Sequence, residues 1–266
     1  MNLKQISVRN LDLVKSDKLS VCQKYTTEEL LFESLSCCMT KKGTIKFFEG
    51  FSEDMTMRNN NDICTLNFAN KNKPGINFPN SGRTQEEQLL RKFPNLFFAL
   101  MSIKYPIENN EIIVTDYVQM ICDNEYKIID VDQRRCSMFV TIPAPDHYTE
   151  KFDFELVMNK IKNIIMAPIH FKLKQSNIKY LPKKLILGAW GCGAFLPTKS
   201  IFSKILKNIP KELQNCETYQ ELIANMFYHI LINLEFAKFY DEIIFAIPKN
   251  DINYDMFARV FKKVIH

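Results

Sequence analysis

Glycine is scarce in this chain, with 7 among 266 residues, and tryptophan occurs once. No internal repeat, low-complexity tract or Pro/Gly/Ser-rich linker divides it. No stretch reaches the roughly 18 consecutive apolar residues that read as a membrane helix. The opening segment, MNLKQISVRNLDLVKSDK, lacks the apolar core of a secretory signal. The 8 cysteines never form CxxC. The 4 histidines, His147, His170, His229 and His266, stand far apart. No HExxH motif or Cys/His cluster therefore offers metal-ligand spacing, and neither a metal nor another cofactor is expected. Without a secretory signal the cysteines read as reduced thiols of an intracellular protein, in cytoplasm or nucleus. The formal charge of +5 is spread along the chain rather than blocked into a tail. It suits an anionic ligand but not direct nucleic-acid binding. The chain is expected to act as a monomer away from membranes.

What is present is ordinary globular composition, 46% hydrophobic and 24% charged, enough for one large domain. Residues 1–25 show no clear period and read as an arm or edge strand. Thr26 to Thr40 reads as a helix, with a Thr26/Glu29 capping box and Leu30, Leu31, Phe32 and Leu35 as its apolar face. Thr44–Phe48 reads as a strand and Asp54–Asp62 as a polar connector. From there strands are expected at Ile63–Phe68, Ile112–Val118, Met138–Ile142, Leu185–Leu187 and Ile243–Ile247. Helices are expected from Thr84, broken at Pro94, and over Phe154–Met166, Thr198–Leu206, Tyr219–Phe236 and Tyr254–Val264. Such alternation predicts an α/β sandwich with a parallel or mixed sheet.

Two loops stand out. The first, Asn67 to Glu87, reads NFANKNKPGINFPNSGRTQEE. It joins an apolar strand to a helix and holds Asn70, Asn72, Pro74, Gly75, Asn77, Pro79, Asn80 and Gly82. Loops this long inside a compact domain are often functional. It delivers adjacent carboxylates, Glu86 and Glu87, to the first helical turn. Thr84-Gln85-Glu86-Glu87 also fits a capping box, and acidic residues suit a helix N-terminus for the dipole alone.

The second loop, Gly188-Ala189-Trp190-Gly191-Cys192-Gly193-Ala194-Phe195, holds three of the 7 glycines within six residues. It joins a buried strand to a helix. Backbone N–H groups in such a turn can cradle phosphate, and a tight packing turn would use the same glycines. There is no GKS, GKT or GxGxxG here. Trp190 reads as core. Cys192 reads as a small filler or a nucleophile, with no histidine near it in sequence.

Together the loops resemble the bacterial-type poly(ADP-ribose) glycohydrolases, a branch of the macrodomain fold. The pattern is carried by Asn67-Phe68-Ala69-Asn70, Pro74-Gly75-Ile76-Asn77, Gln85-Glu86-Glu87 and Gly188 to Phe195. It extends from about residue 60 to the C-terminus. The resemblance implies a three-layer α/β/α macrodomain-like sandwich with a mixed sheet. Residues 44–266 would form the catalytic domain and 1–43 an N-terminal helical extension packed on it. The implied substrate is the ADP-ribose polymer or an ADP-ribosylated protein. Glu87 would be the catalytic acid/base and Glu86 would hold ribose hydroxyls. Asn70 would contact the distal ribose. The stretch Gly75, Ile76, Asn77 and the loop Gly188, Gly191, Cys192, Gly193, Ala194 would wrap the diphosphate, and Gln85 would belong to the ligand-binding set. Phe195 would pack on the reacting ribose, and Phe245 would line the adenine pocket. Where the family has three glycines, this chain keeps only Gly75. Isoleucine at 76 resists positive φ, so the departure predicts weaker diphosphate contact, improved by restoring glycine. A non-hydrolytic binder of ADP-ribose or an NAD-derived nucleotide is the alternative expectation.

Overall fold

The computed structural model describes residues 2–15, 20–30, 35, 38–39, 43–58, 62–175, 181–249, 251–262 and 264. Among these residues seven strands form one mixed sheet: β1 Val21–Thr26, β2 Thr44–Glu49, β3 Ile63–Ala69, β4 Glu111–Gln119, β5 Cys136–Pro143, β6 Lys184–Leu187 and β7 Glu242–Ile247. Their order is β1-β4-β5-β3-β6-β7-β2. The strands β5, β3, β6, β7 and β2 run parallel, and β4 is antiparallel to both β5 and β1. Of residues 1–25, expected as an arm or edge strand, only the end from Val21 supplies β1 at one sheet edge, whereas Leu3–Val14 form a helix capped by Asn2.

The helices are α1 Leu3–Val14, α2 Ser52–Arg58, α3 Gln85–Lys92, α4 Pro94–Met101, α5 Phe154–Lys174, α6 Lys199–Leu206, α7 Tyr219–Tyr228 and α8 Ile252–Phe261. They cover both faces, giving three layers. Cys64, Leu66, Val140, Leu185, Ile243 and Phe245 face α5, α7 and α8. On the other face Ala69, Ile113 and Phe139 meet Leu89, Leu90, Phe93 and Leu96 of α3 and α4. Ile63, Ile186 and Ala246 are covered there by Met55 of α2. Central β3 is buried along nearly its whole length, which accounts for its continuous apolar run. Among the described residues no helix is long and apolar enough to cross a membrane.

Several boundaries differ from the sequence reading. The connector expected at 54–62 instead begins with α2. Thr56 makes that turn worthwhile, because its hydroxyl meets the Ser52 carbonyl at 2.7 Å and Thr65 Oγ1 at 2.8 Å. The helix expected at 26–40 shows its capping box, but only as a 3-10 turn over Thr27–Glu29, and Leu30 leaves the helical region. Most of 31–42 lies outside the described residues. The helix from Tyr219 loosens into a π turn at His229–Asn233, and Glu235 at φ 60 ends it. The helix from Phe154 runs through Pro168 to Lys174, held by burial on both sides of the proline.

Candidate active site

The parallel strands end together, and the two loops singled out above follow neighbouring strands β3 and β6. Ligand sites of open α/β sheets form outside such strand ends.

At the first loop, Asn67 and Gln85 fasten the start of α3 to the end of β3. Gln85 Nε2 donates to the Leu66 carbonyl at 2.7 Å and to Ser52 Oγ at 2.9 Å, and its Oε1 accepts from Phe68 N at 2.9 Å. Every polar group of the Gln85 amide is thus engaged within the protein. Gln85 positions the turn, and its amide is engaged there rather than turned to the ligand expected of it. Asn67, buried in β3, donates Nδ2 to Glu86 Oε1 at 3.2 Å and to Thr141 Oγ1 at 3.3 Å.

Glu86 Oε2 accepts from Asn70 N at 3.1 Å and Gly75 N at 3.0 Å. Burial pushes its carboxyl up from near 4.5 to about 7, against these donors and Asn67, with Glu87 adding to the rise. The folded-state value lies above the unfolded one, so stabilisation by the proton is full below about 4.5 and is lost as pH rises through about 7. At about 1.4 kcal/mol per unit the loss is on the order of 3 kcal/mol. Denaturation of wild type and Glu86→Gln from about pH 4.5 to about pH 8 measures it. Wild type is expected to lose stability relative to the variant as pH rises, and parallel curves would show that Glu86 ionises at its ordinary value.

Glu87, fully buried, completes the capping box. Its Oε2 accepts from Thr84 N at 2.9 Å and from the Thr84 hydroxyl. Its Oε1 accepts from Asn77 N at 3.3 Å. Gly82 lies against it so closely that an added Cβ would stand 2.4 Å from Glu87 Cδ. The loop thus turns both carboxylates inward, on one helical turn, beneath converging N–H groups.

Gly75 adopts φ +54, and a Cβ there would meet Leu90 and Phe78 at 2.7 Å. Among the described residues with a side chain, only Tyr117, Tyr126 and Glu235 have positive φ. Ile76 and Asn77 therefore hold their backbone without the positive φ expected to strain them. Ile76 points outward, 49% exposed. The Asn70 side-chain oxygen caps its own turn, accepting from Asn72 N at 2.9 Å, which leaves its NH₂ for a ligand.

In the second loop, Gly188 lies under the Phe68 ring, where a Cβ would stand 2.7 Å away. This contact joins the two loops. Trp190 is core, as its type suggested, and Nε1 donates to the Ile142 carbonyl at 3.4 Å. Cys192 is buried and burial pushes its thiol well above the usual range, so it fills space and is no nucleophile. Gly191 has φ +79, and a Cβ on Gly193 would meet nothing within 4 Å. Gly193 and Ala194 are exposed and Phe195 is half-buried, so this end of the loop is open to a ligand. Tyr148, from the segment after β5, donates its hydroxyl to the Leu196 carbonyl at 3.0 Å and walls the loop on that side.

Phe245 is not part of this surface. Its ring is fully buried, 5.4 Å from Phe47 and Phe257, 5.1 Å from Phe261 and 5.7 Å from Phe227. Strand alternation aims it at α7 and α8, which corrects its expected place in an adenine pocket.

Sequence reasoning gave no role to Asn67, Ser52, Gly82 or Lys160. Asn67 carried a signal, as a polar residue inside an apolar strand. Lys160 is buried, donates Nζ to the Pro143 carbonyl at the end of β5 at 3.1 Å, and is pushed down to about 8 by burial. Nothing in its helical spacing announced that contact.

Residues 18–118 match the family described as the microbial-type PARG catalytic domain. The poly(ADP-ribose) glycohydrolase of Thermomonospora curvata shares the fold at TM-score 0.66 and 18% identity, over 97% of this chain and 98% of that one. The enzyme of Deinococcus radiodurans, solved in complex with ADP-ribose, does so at TM-score 0.65 and 18% identity, over 95% and 97%. No curated protein sequence matches the chain. Residues 18–118, which include the first loop and both carboxylates, thus carry the microbial-type PARG catalytic-domain pattern, on a fold shared with the bacterial poly(ADP-ribose) glycohydrolases.

Proposed function

We propose that this protein is a poly(ADP-ribose) glycohydrolase, cleaving ribose–ribose O-glycosidic bonds to release ADP-ribose. The observation that carries the reading is the pair Glu86 and Glu87, held by the β3–α3 loop within a matched catalytic-domain segment. Glu87 is the general acid/base. Its carboxyl gives a proton to the leaving ribose oxygen as the C–O bond breaks through an oxocarbenium-like state. The carboxylate then takes a proton from the water that attacks the anomeric carbon, so one water is consumed and Glu87 is restored. The Asn77 N–H, the longest at 3.3 Å of the backbone bonds to the pair, is the one that yields to admit substrate. Its release frees Glu87 Oε1 and turns that N–H toward a phosphate oxygen. Glu86 and the Asn70 amide hold ribose hydroxyls. The Gly188–Phe195 loop wraps the diphosphate, and Phe195 packs on the reacting ribose. No metal or other cofactor enters this scheme. The protein works as a monomer inside the cell, on polymer or ADP-ribosylated protein, without contacting nucleic acid or membrane.

One observation favours a binder without turnover: both Glu87 oxygens are engaged in the cap and the residue is closed to solvent. Incubation with labelled poly(ADP-ribose), alongside melting in millimolar ADP-ribose, separates the readings. Free ADP-ribose as product supports the enzyme. Thermal stabilisation, about 2.7 kcal/mol at a hundredfold excess over Kd, without product supports the binder. Neither result would remove both.

The loop geometry also sets an expectation for Ile76→Gly with Asn77→Gly. Each new glycine widens the unfolded ensemble and costs about 0.5–1 kcal/mol, while no strained backbone is relieved. ADP-ribose titration is expected to show affinity unchanged or weaker. Tighter binding would mean that the two side chains obstruct the diphosphate.

A further inference from the structure

Arg91 stands one turn after Glu87 on α3 and is fully buried. Its polar partners are neutral. Nε donates to Ser7 Oγ of α1 at 3.1 Å, Nη1 to Gln88 Oε1 at 3.4 Å and Nη2 to the Gly82 carbonyl. A buried guanidinium stays protonated and is costly unless its donors are met. Burial and Arg83 work against its charge, whereas Tyr126 and Glu87 support it. Helix α1 grips the same residue again, because Asn10 Nδ2 donates to the Arg91 carbonyl at 2.7 Å. Gly82, hooked by Arg91 on one side, closes on the other against the Glu87 carboxyl group.

We propose that Arg91 is a positioning residue for Glu87, and that the N-terminal helix α1 serves the catalytic site through it. Ser7 and Asn10 fix Arg91, Arg91 fixes the Gly82 carbonyl, and Gly82 confines the Glu87 carboxyl. This rests on Glu87 acting as the acid/base. An arginine that only cements α1 to α3 would lower stability and leave turnover per folded molecule unchanged.

Arg91→Met keeps an unbranched apolar stem and tolerates burial while removing the guanidinium, and Ser7→Ala removes one support from α1. For each, kcat and KM on poly(ADP-ribose) are measured well below the melting temperature. Hydrogen exchange is followed at the amides of Asn77 and Thr84, which donate to Glu87. Arg91→Met is expected to lower kcat about 10- to 100-fold with KM within about threefold, as misplacement of a catalytic group by about 1 Å does. Ser7→Ala is expected to lower kcat about threefold. Both amides are expected to exchange at least about tenfold faster in Arg91→Met, with β3 amides unchanged. A folded Arg91→Met with kcat within about twofold of wild type, or with unchanged exchange at both amides, overturns the proposal. Should Arg91→Met fail to fold, Ser7→Ala decides: slower turnover with faster exchange supports the link, and wild-type values overturn it. Should wild type itself release no ADP-ribose, the glycohydrolase reading fails. The exchange rates then decide the link from α1 to Glu87 separately, acceleration supporting it and constancy overturning it.

Discussion

Glu87→Gln is expected to lower hydrolysis of poly(ADP-ribose) by about 10²–10⁴, the usual worth of a general acid/base, while ADP-ribose still binds. Glutamine keeps the size of the side chain but cannot pass a proton. The change also touches the cap. Thr84 N and Asn77 N both donate to this carboxylate, and an amide offers only one oxygen to the pair. A stability loss of about 0.5–2 kcal/mol is therefore expected as well, in the range of a lost helix cap. Rates measured at a temperature where both proteins are folded, with ADP-ribose affinity from titration, separate the two effects. A rate loss under about tenfold would reduce Glu87 to a helix cap, a role its buried position equally suits.

Gly82→Ala is expected to inactivate nearly as well without touching a carboxylate. The new methyl would stand 2.4 Å from Glu87 Cδ and 2.5 Å from Cγ and Oε1. Gly82 is not at positive φ, so its backbone accepts alanine. The flexible end of Glu87 is what gives way, and it leaves its donors. A displacement of this kind costs roughly hundredfold in kcat, against about 1 kcal/mol of lost capping. Steady-state kinetics beside a melting curve reads both. Combined with Glu87→Gln, the second loss is expected to vanish, because the two changes act on one group. A Gly82→Ala protein with wild-type kcat would show that the placement of Glu87 does not limit the reaction.

Both outcomes turn on a loop whose chemistry was written in the chain and whose packing was not. TxEE after a polar loop announced a capped helix carrying two carboxylates, and the capping box of Thr84 and Glu87 forms as its spacing required. GAWGC was legible as a tight turn, since Gly191 needs positive φ. Gln85 was misjudged for a physical reason. A glutamine beside two glutamates looks like part of a ligand set, yet its amide is consumed by Leu66, Phe68 and Ser52, partners brought together only when α2 and β3 assemble. Phe245 was misjudged because period two shows that a strand has two faces, not which helix covers each. Helix α2 escaped notice because its polar residues hide only two apolar contacts, Met55 and Met57.

The sequence by itself determined the alternation of strands and helices, the place of the long loop between β3 and α3, and the carboxylate pair that loop presents. These are local matters, decided by side-chain period, turn residues and capping within a few positions. Tertiary structure alone decided which polar groups meet. It brought Asn67 to Glu86, Asn77 to Glu87, Phe68 to Gly188 and α1 to Arg91, across separations that no periodicity encodes. It also raised the Glu86 carboxyl toward neutrality, because that shift is a property of burial, and burial exists only once the layers have closed.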